Sequence, residues 1–94
     1  MNYSIDYYDE KLQEWLDDLP VGIQASFTRL TELLILFGAD LHLPFSRALG
    51  NGLFELRLKG KEGIARVFYC MLLDKKLFFC TALLKKRNKY QTKN

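Results

Sequence analysis

The stretch GLFELRLKGKEGIARVFYCMLLDKKLFFCTALLKKRNK, residues 52–89, decides the fold of this chain. Its first part alternates apolar and charged residues, which is typical of a strand with one buried face. Its middle part is apolar on both faces apart from Arg66, as expected of a central strand. The pattern predicts a three-stranded antiparallel meander, with strands at residues 53–59, 64–73 and 77–84 and turns at 60–63 and 74–76.

The length of the first turn predicts a cluster of cations on one face of the sheet. A four-residue loop at 60–63 sets Arg57 opposite Arg66, and cross-strand partners share a face. Lys59 lies two residues further along that face. Two arginines directly opposite each other repel, so the fold needs a compensating charge, which Glu55 can supply. The predicted pairs are Arg57–Arg66, Lys59–Ile64 and Glu55–Phe68.

The second turn predicts where the last basic residues lie. A three-residue loop at 74–76 lets Lys85 and Lys86 leave the sheet beside Arg66. The tail from residue 85 to 94 has five positive charges and no acid, which fits either an arm that follows phosphates or a frayed, solvated terminus. The predicted pairs are Cys70–Cys80 and Arg66–Leu84, and the candidate phosphate contacts are Arg57, Lys85, Arg87 and Lys89.

Arg66 is the residue with the strongest functional signal. An arginine within an otherwise apolar strand carries a desolvation cost that a solvated charge avoids. Binding an anion is one reason to retain it. Pairing with Glu55 to brace the sheet is the other.

The first half of the chain predicts one strand and a helical hairpin. Residues 3–7 alternate weakly and suit a strand. Asp9 is the predicted N-cap of a first helix that ends at Pro20, and Pro20 fits the first position of a second helix. Gly38 suits the left-handed residue after that helix. The apolar positions at helical spacing are Leu12, Trp15, Leu16 and Leu19, then Ile23, Phe27, Leu30, Leu33, Leu34 and Phe37.

Together these elements predict an α+β fold with one sheet packed on the two helices. Residues 39–51 are predicted to be a connector that contains no strand. Ninety-four residues, 49% of them hydrophobic, indicate a single globular domain spanning 1–94.

Charge is divided unevenly along the chain. Residues 1–40 carry eight acids and two bases, whereas residues 41–94 carry three acids and twelve bases. The second half is therefore the part that a polyanion would bind. No apolar run is long enough to span a membrane, and the N-terminus does not resemble a signal peptide, so a cytoplasmic protein is expected.

Four conspicuous residues carry weaker functional signals. Cys70 and Cys80 lack the spacing of a metal or redox motif and are predicted to be small buried apolar residues. Trp15 is predicted to pack in the core. His42, the only histidine, falls in a connector, where a solvated and inactive side chain is the usual outcome.

The residues around the predicted cation cluster resemble the RelE/ParE toxin superfamily, and specifically its phage-derived HigB-like branch. The similarity lies in GLFELRLKGKEGIARVFY at residues 52–69 and ALLKKRNK at 82–89. YDEKLQEWLDDLP at 8–20 and LTELLILFG at 30–38 fit the same branch. The resemblance thus extends over nearly the whole chain.

The resemblance implies the toxin of a type II toxin–antitoxin pair that cuts messenger RNA on the translating ribosome, without metal or other cofactor. Its implied partners are a cognate antitoxin in a hetero-oligomer, the ribosome and the message. In that superfamily the ribose 2′-hydroxyl attacks the adjacent phosphate, which leaves a cyclic phosphate and a 5′-hydroxyl. Members of the branch often carry a histidine near Thr81 and an arginine near Leu84, which this chain lacks. The positions that match the family's catalytic residues are Arg66, Lys59, Lys61, Lys86 and, approximately, Tyr90.

Because the family histidine is missing, the candidate catalytic groups are cationic side chains and the phenol of Tyr90. Arg66 and Arg57 have the fork geometry that binds phosphate oxygens. Crowding among cations favours the neutral amine of a lysine, so Lys59 or Lys61 is the candidate base. The candidate acid for the leaving oxygen is Lys86 or Tyr90.

Two other functions stay open on the sequence. A ParE-like member would bind DNA gyrase and not cut RNA. A protein without the family histidine would instead be a non-catalytic module that binds RNA or an antitoxin. Induction would stop translation and shorten messages for a ribonuclease, and would damage DNA for a gyrase inhibitor.

Overall fold

The first half of the chain forms the predicted strand and helices. The computed structural model describes residues 2–41 and 45–87. Strand β1, Ser4–Tyr7, leads into helix α1, Glu10–Asp17. The Asp9 side chain accepts a hydrogen bond of 2.9 Å from the Leu12 backbone N–H. This bond satisfies one of the unpaired donors at the helix start, so the predicted N-cap is confirmed.

The second helix, α2, is Val21–Phe37. Pro20 was predicted to be its first residue but is the residue before it, because the Pro20 ψ of 150° is extended and not helical. Gly38 follows the helix with φ of 50° and ψ of −117°, so it has the positive φ that favours glycine but not the predicted left-handed helical conformation. A short 3₁₀ turn, Gly38–Asp40, completes this part of the chain. No helix among the described residues is long and apolar enough to cross a membrane.

The connector prediction was wrong, because it contains strand β2, Ser46–Gly50. Only Ser46 of this strand is buried, so its sequence has no alternation that would predict a strand. Tertiary contacts hold it in place. The strand pairs with its neighbour in the sheet, and the Ser46 hydroxyl lies 2.6 Å from the Tyr69 hydroxyl in the core. Burial raises the Tyr69 pKa, while the Ser46 hydrogen bond lowers it.

The remaining strands are β3, Leu53–Gly60, β4, Gly63–Leu72, and β5, Lys76–Lys86. They form one five-stranded sheet in the order β1-β5-β4-β3-β2. β1 runs parallel to β5, and all other pairs are antiparallel. The α+β class is as predicted, but the meander has four strands where three were expected.

The first hairpin has the predicted register. Arg57 pairs with Arg66, Lys59 with Ile64 and Glu55 with Phe68. The predicted four-residue loop is tighter than expected, since Gly60 pairs with Gly63 and only two residues form the turn.

The second hairpin has a different register from the predicted one. Its turn begins one residue earlier, at Leu73, whose side chain is 87% exposed and does not extend the strand. A bulge further along leaves Cys80 without a partner on β4. β5 also continues to Lys86, so Lys85 and Lys86 stay in the sheet. The observed pairs are Cys70–Phe78, Arg66–Leu83, Ile64–Lys85 and Gly63–Lys86.

The helices cover one face of the sheet and leave the other open. α2 contributes Ile23, Phe27, Leu30 and Leu34 to the core, facing Leu56, Leu58, Ala65 and Val67 of the central strands. Trp15 was predicted to belong to this core but is 38% exposed, because α1 turns it toward the end of β5. Phe37 is likewise half exposed at the end of α2.

The cysteine prediction also needs correction. Cys70 and Cys80 are free thiols and are only partly buried. Partial burial and the neighbouring Cys70 raise the Cys80 pKa. His42 lies outside the described residues.

Candidate phosphate-binding site

Two arginines lie side by side on the open face of the sheet, with one carboxylate between them. Arg66 Nε is 3.4 Å from Glu55 Oε2, and Arg57 Nε is 3.8 Å from Glu55 Oε1. Both distances exceed a normal hydrogen bond, so Glu55 acts mainly through its charge. One carboxylate divided between two guanidinium groups leaves one net positive charge.

Glu55 is buried while its two partners remain accessible. The Glu55 side chain is 9% exposed, against 32% for Arg57 and 42% for Arg66. Glu55 therefore braces the sheet, as one of the two interpretations of Arg66 predicts. The exposed parts of both arginines can still bind an anion from solvent. The contact with Glu55 therefore leaves both guanidinium groups available to a ligand.

Two lysines flank this arginine pair on the same face. Ile64 is paired with Lys59 on one side and with Lys85 on the other. This row lies two residues from the arginine row, about 7 Å along the strands, and the two lysine backbones are about 10 Å apart. The four cations therefore share one end of the open face.

A recess of about 350 Å³ opens at this end of the sheet. It joins Arg66 to the last residues of β5 and to the glycines of the first hairpin. We call it the basic recess. Its lining residues are Gly60, Gly63, Ile64, Arg66, Lys85, Lys86 and Arg87.

Lys86 and Lys61 lie at the same end of the sheet but not on its open face. Alternation along β5 turns Lys86 away from Lys85, and Lys86 borders both the basic recess and a second space of about 460 Å³. We call this second space the turn cleft. It is lined by Pro20, Lys61, Glu62, Lys86 and Arg87.

The predicted site residues therefore separate into two groups. Arg57, Lys59 and Arg66 share the open face, and Lys85 completes that group in the place expected for Lys86. Lys61, Lys86 and Arg87 surround the end of the sheet. Lys89 and Tyr90 lie outside the described residues.

The turn that carries this site is fixed to the start of α2. Glu62 Oε2 accepts a hydrogen bond of 2.8 Å from the Gly22 backbone N–H. The Ser26 hydroxyl donates to the Lys59 carbonyl. The Arg87 N–H donates to the Glu62 carbonyl at 2.7 Å. These contacts tie β3, β5 and α2 together around the cations.

The carboxylate of Glu62 serves as the missing cap of α2. Pro20 offers no side-chain cap, so the first backbone N–H groups of the helix need another acceptor. The Gly22 N–H lowers the Glu62 pKa most, followed by the N–H groups of Glu62 itself and of Ile23 and by the charge of Lys61, while desolvation opposes them. An ionised Glu62 at the positive end of the helix dipole stabilises this junction.

Close backbone contacts require the two glycines of the hairpin. A Cβ at Gly60 would lie 2.7 Å from the Ile23 nitrogen. A Cβ at Gly63, whose φ is +146°, would lie 2.2 Å from the Lys85 carbonyl oxygen. Any side chain would push the hairpin away from α2 or from β5, and would displace the cations with it.

Sequence reasoning missed Glu62 and Ser26 as supports of the site. Both act across more than thirty residues of sequence, and no local pattern predicts such a contact. The available signal was the Gly-Lys-Glu-Gly turn, in which two glycines indicate a tight backbone approach.

The site is a concentration of positive charge with few acids. Its described cations are Arg57, Lys59, Lys61, Arg66, Lys85, Lys86 and Arg87, and its carboxylates are Glu55 and Glu62. Both carboxylates are already engaged. Within residues 2–41 and 45–87, no group of three His, Cys, Asp or Glu side chains could hold a metal ion. The chemistry available at this site is binding of phosphate and stabilisation of charge on it.

Comparison with known proteins shows the family and the fold of the chain. Residues 14–94 match the family described as phage derived protein Gp49-like (DUF891). The chain belongs to this family. No curated protein matches it. Among solved structures, the crystal structure of the archaeal RelE–RelB complex from Pyrococcus horikoshii OT3 contains a chain with a TM-score of 0.60 and 20% sequence identity, over 95% of this chain and 99% of that chain. The Gp49-like chain thus has a RelE-like fold.

Proposed function

We propose that this Gp49-like protein is the toxin of a type II toxin–antitoxin pair and cuts messenger RNA on the ribosome. The observation that carries the proposal is the pair Arg57 and Arg66, together with Lys59 and Lys85, on a sheet face that no described helix covers. A fold that only needed bracing would require one arginine for one buried carboxylate. The surplus of cations is what an RNA backbone requires.

Arg66 and Arg57 would bind the scissile phosphate. Their guanidinium groups offer paired donors to two phosphate oxygens and stabilise the charge that grows there during attack. Arg66 has the more exposed side chain and also borders the basic recess. We therefore assign it the main contact.

The reaction needs one base and one acid. Lys59 or Lys61 would take the proton of the 2′-hydroxyl, whose oxygen then attacks the phosphorus. The bond from phosphorus to the 5′-oxygen breaks, and Lys86 or Tyr90 would protonate that oxygen. The products are a 2′,3′-cyclic phosphate and a 5′-hydroxyl. No metal or other cofactor takes part in this scheme.

Dependence on the ribosome follows from the weakness of such a site. Lysines are poor general bases near neutral pH, so much of the rate must come from positioning of the message. Lys85, Arg87 and Lys89 would bind the backbone of message or ribosomal RNA, since a run of cations binds phosphates without reading sequence.

A cognate antitoxin would cover this surface in the cell. The similar archaeal RelE was crystallised with RelB, and an uncovered cluster of cations is hazardous among cellular RNA. The partner would place acidic or apolar residues over the open face, which carries cations at one end and Phe68, Cys70 and Phe78 at the other.

Arg66→Ala tests the assignment directly. We expect the variant to fold and to lose about 100-fold or more of its cleavage rate, since one donor to the developing charge is removed. Mapping message 5′ ends after brief induction measures this, and codon-phased cuts in translated regions identify the activity. Arg66→Lys keeps the positive charge but loses the paired donors of the guanidinium group. Its cleavage rate should therefore lie between those of the wild type and Arg66→Ala.

Arg29→Ala is the matched control, because Arg29 is an exposed cation on α2. It removes the same charge far from the open face and should leave cleavage unchanged. Undiminished growth arrest by a folded Arg66→Ala protein would refute the assignment. DNA damage without cut messages would instead identify a gyrase inhibitor.

A further inference from the structure

Beside the candidate site lies a third space, the tryptophan cleft, between the end of α1 and the end of β5. Its volume is about 260 Å³. That is smaller than the roughly 300 Å³ or more of pockets for drug-sized ligands, and it suits a single planar ring system. Its lining residues are Trp15, Asp18, Leu19, Pro20, Leu84 and Lys86.

This cleft shares lining residues with the two neighbouring spaces. Lys86 borders the basic recess, the turn cleft and the tryptophan cleft. Pro20 is shared by the tryptophan cleft and the turn cleft, and Arg87 by the turn cleft and the basic recess. A strand held at Arg66 would reach Trp15 by passing the end of β5, where Lys86 and Arg87 line the surface.

The cleft has the chemistry of a base site and not of a phosphate site. Trp15 is an aromatic ring with 38% exposure, whereas its neighbour Leu16 in the same helix is completely buried. Exposed aromatic rings next to a basic groove are the platforms on which unpaired bases stack. The carboxylate of Asp18 would repel a phosphate but can accept hydrogen bonds from a base.

We propose that the tryptophan cleft receives one unpaired base of the RNA strand whose phosphate lies at Arg66. The base stacks on Trp15, Lys86 contacts the backbone beside it, and Asp18 accepts from its Watson–Crick edge. Guanine offers two adjacent donors on that edge, so the cleft favours guanine. This inference rests on the proposed function and adds a base-reading site to it.

Trp15 is the only tryptophan in the chain, so its fluorescence reports on the cleft. A dye-labelled single-stranded hexaribonucleotide is titrated at low salt, where backbone binding is strongest. Label anisotropy measures binding, while Trp15 emission measures stacking. We expect quenching by a guanine-containing strand, weaker quenching by oligouridine, and none by an abasic strand that still binds.

Variants separate the cleft from the rest of the surface. Trp15→Ala should weaken binding about tenfold through lost stacking, and Trp15→Phe should weaken it less because a ring remains. Asp18→Asn should abolish the guanine preference, so that the ratio of the two affinities, guanine-containing strand over oligouridine, falls to about one. Tyr8→Ala is the control, because Tyr8 is an exposed aromatic that lines none of the three spaces.

The outcomes keep this inference distinct from the proposed function. RNA binding that Arg66→Ala weakens, but that neither quenches Trp15 nor responds to Trp15→Ala, overturns the base site and leaves the ribonuclease standing. Quenching by an acidic peptide and not by RNA overturns it in favour of a protein partner. No RNA binding at low salt also overturns it, and message cleavage then decides the proposed function separately.

Discussion

The two hairpin turns of the meander differ in how firmly the fold holds them. The turn between β3 and β4 is enclosed: Glu62 binds the first N–H groups of α2 and its carbonyl accepts from Arg87. The turn between β4 and β5 is exposed throughout, and two of its residues, Asp74 and Lys75, adopt positive φ. A hydrogen bond from the Ser4 N–H to the Lys75 carbonyl links this turn to β1.

The cations of the candidate site lie at the more firmly held turn. A phosphate site requires side chains held to a fraction of an ångström by their surroundings. The enclosed turn fixes the ends of three strands. Lys59 and Lys85 lie at two of these ends, and Lys61 lies in the turn itself. The exposed turn bears charged residues as well, but it lies at the other end of β4, where Lys75 Nζ is 5.2 Å from the centroid of the Tyr3 ring. Four variants test this contrast, in order of expected effect.

Gly63→Ala should destabilise the protein most, by about 3 kcal/mol, because its Cβ would overlap the Lys85 carbonyl and its φ is unfavourable for a side chain. Denaturant unfolding measures the loss. Gly52→Ala is the matched control: its φ is +80°, yet nothing lies within 4 Å of a Cβ there. It should cost about 1 kcal/mol. Equal losses for the two variants would show that the enclosed turn is not tightly packed.

Glu55→Gln should cost about 2 kcal/mol, since it leaves Arg57 and Arg66 facing each other without a carboxylate. The partial exposure of both arginines keeps the loss below that of a fully buried pair. The loss should shrink as salt rises, because salt screens the repulsion. Adding Arg57→Gln to this variant should recover part of the stability. A Glu55→Gln protein as stable as wild type at low salt would contradict the shared-carboxylate arrangement.

Glu62→Gln should have a smaller effect that depends on pH. The folded-state pKa of Glu62 lies below its ordinary value of 4.5. Its contribution is therefore fully present above that ordinary value and is lost as the pH falls through the folded-state pKa. Unfolding of both proteins from pH 7 to pH 2 should show a gap at neutral pH that closes in acid. A gap of constant size would mean that the Glu62 charge does not hold the turn.

Asp74→Gly should change stability least, by less than about 0.5 kcal/mol. Glycine relieves the positive φ of 61° but gains freedom in the unfolded chain, and the two effects oppose each other. Message cleavage should be unaffected. Comparable losses of activity from Asp74→Gly and Gly63→Ala would remove the contrast between the two turns.

The two hairpins also differ in how well local sequence predicts their register. In the first, alternating charges and two glycines leave one way to pair the strands, and Arg57 falls opposite Arg66 as predicted. In the second, the apolar run ends in Leu73, which has no local mark as a turn residue, and Cys80 enters a bulge. Since β4 and β5 are apolar on both faces there, a shift of register changes little in the pattern.

The residues of the candidate site were predicted well in the first hairpin and less well in the second. Arg57, Lys59 and Arg66 were predicted together because one strand pair sets their relation. Lys85 replaced Lys86 on the open face because the bulge shifted the register of β5. Trp15 was assigned to the core because helical spacing records only which side of α1 it occupies, and not whether a neighbour covers it.

The sequence by itself determined the helices, the central hairpin and the accumulation of cations in the second half of the chain, because these depend on periodicity, turn chemistry and charge within a few residues. Only the tertiary structure decided that β2 joins the sheet, that Glu62 caps α2, and that Trp15 stands open beside Lys86. Each of these depends on which distant segments meet, and burial of the common core sets that meeting.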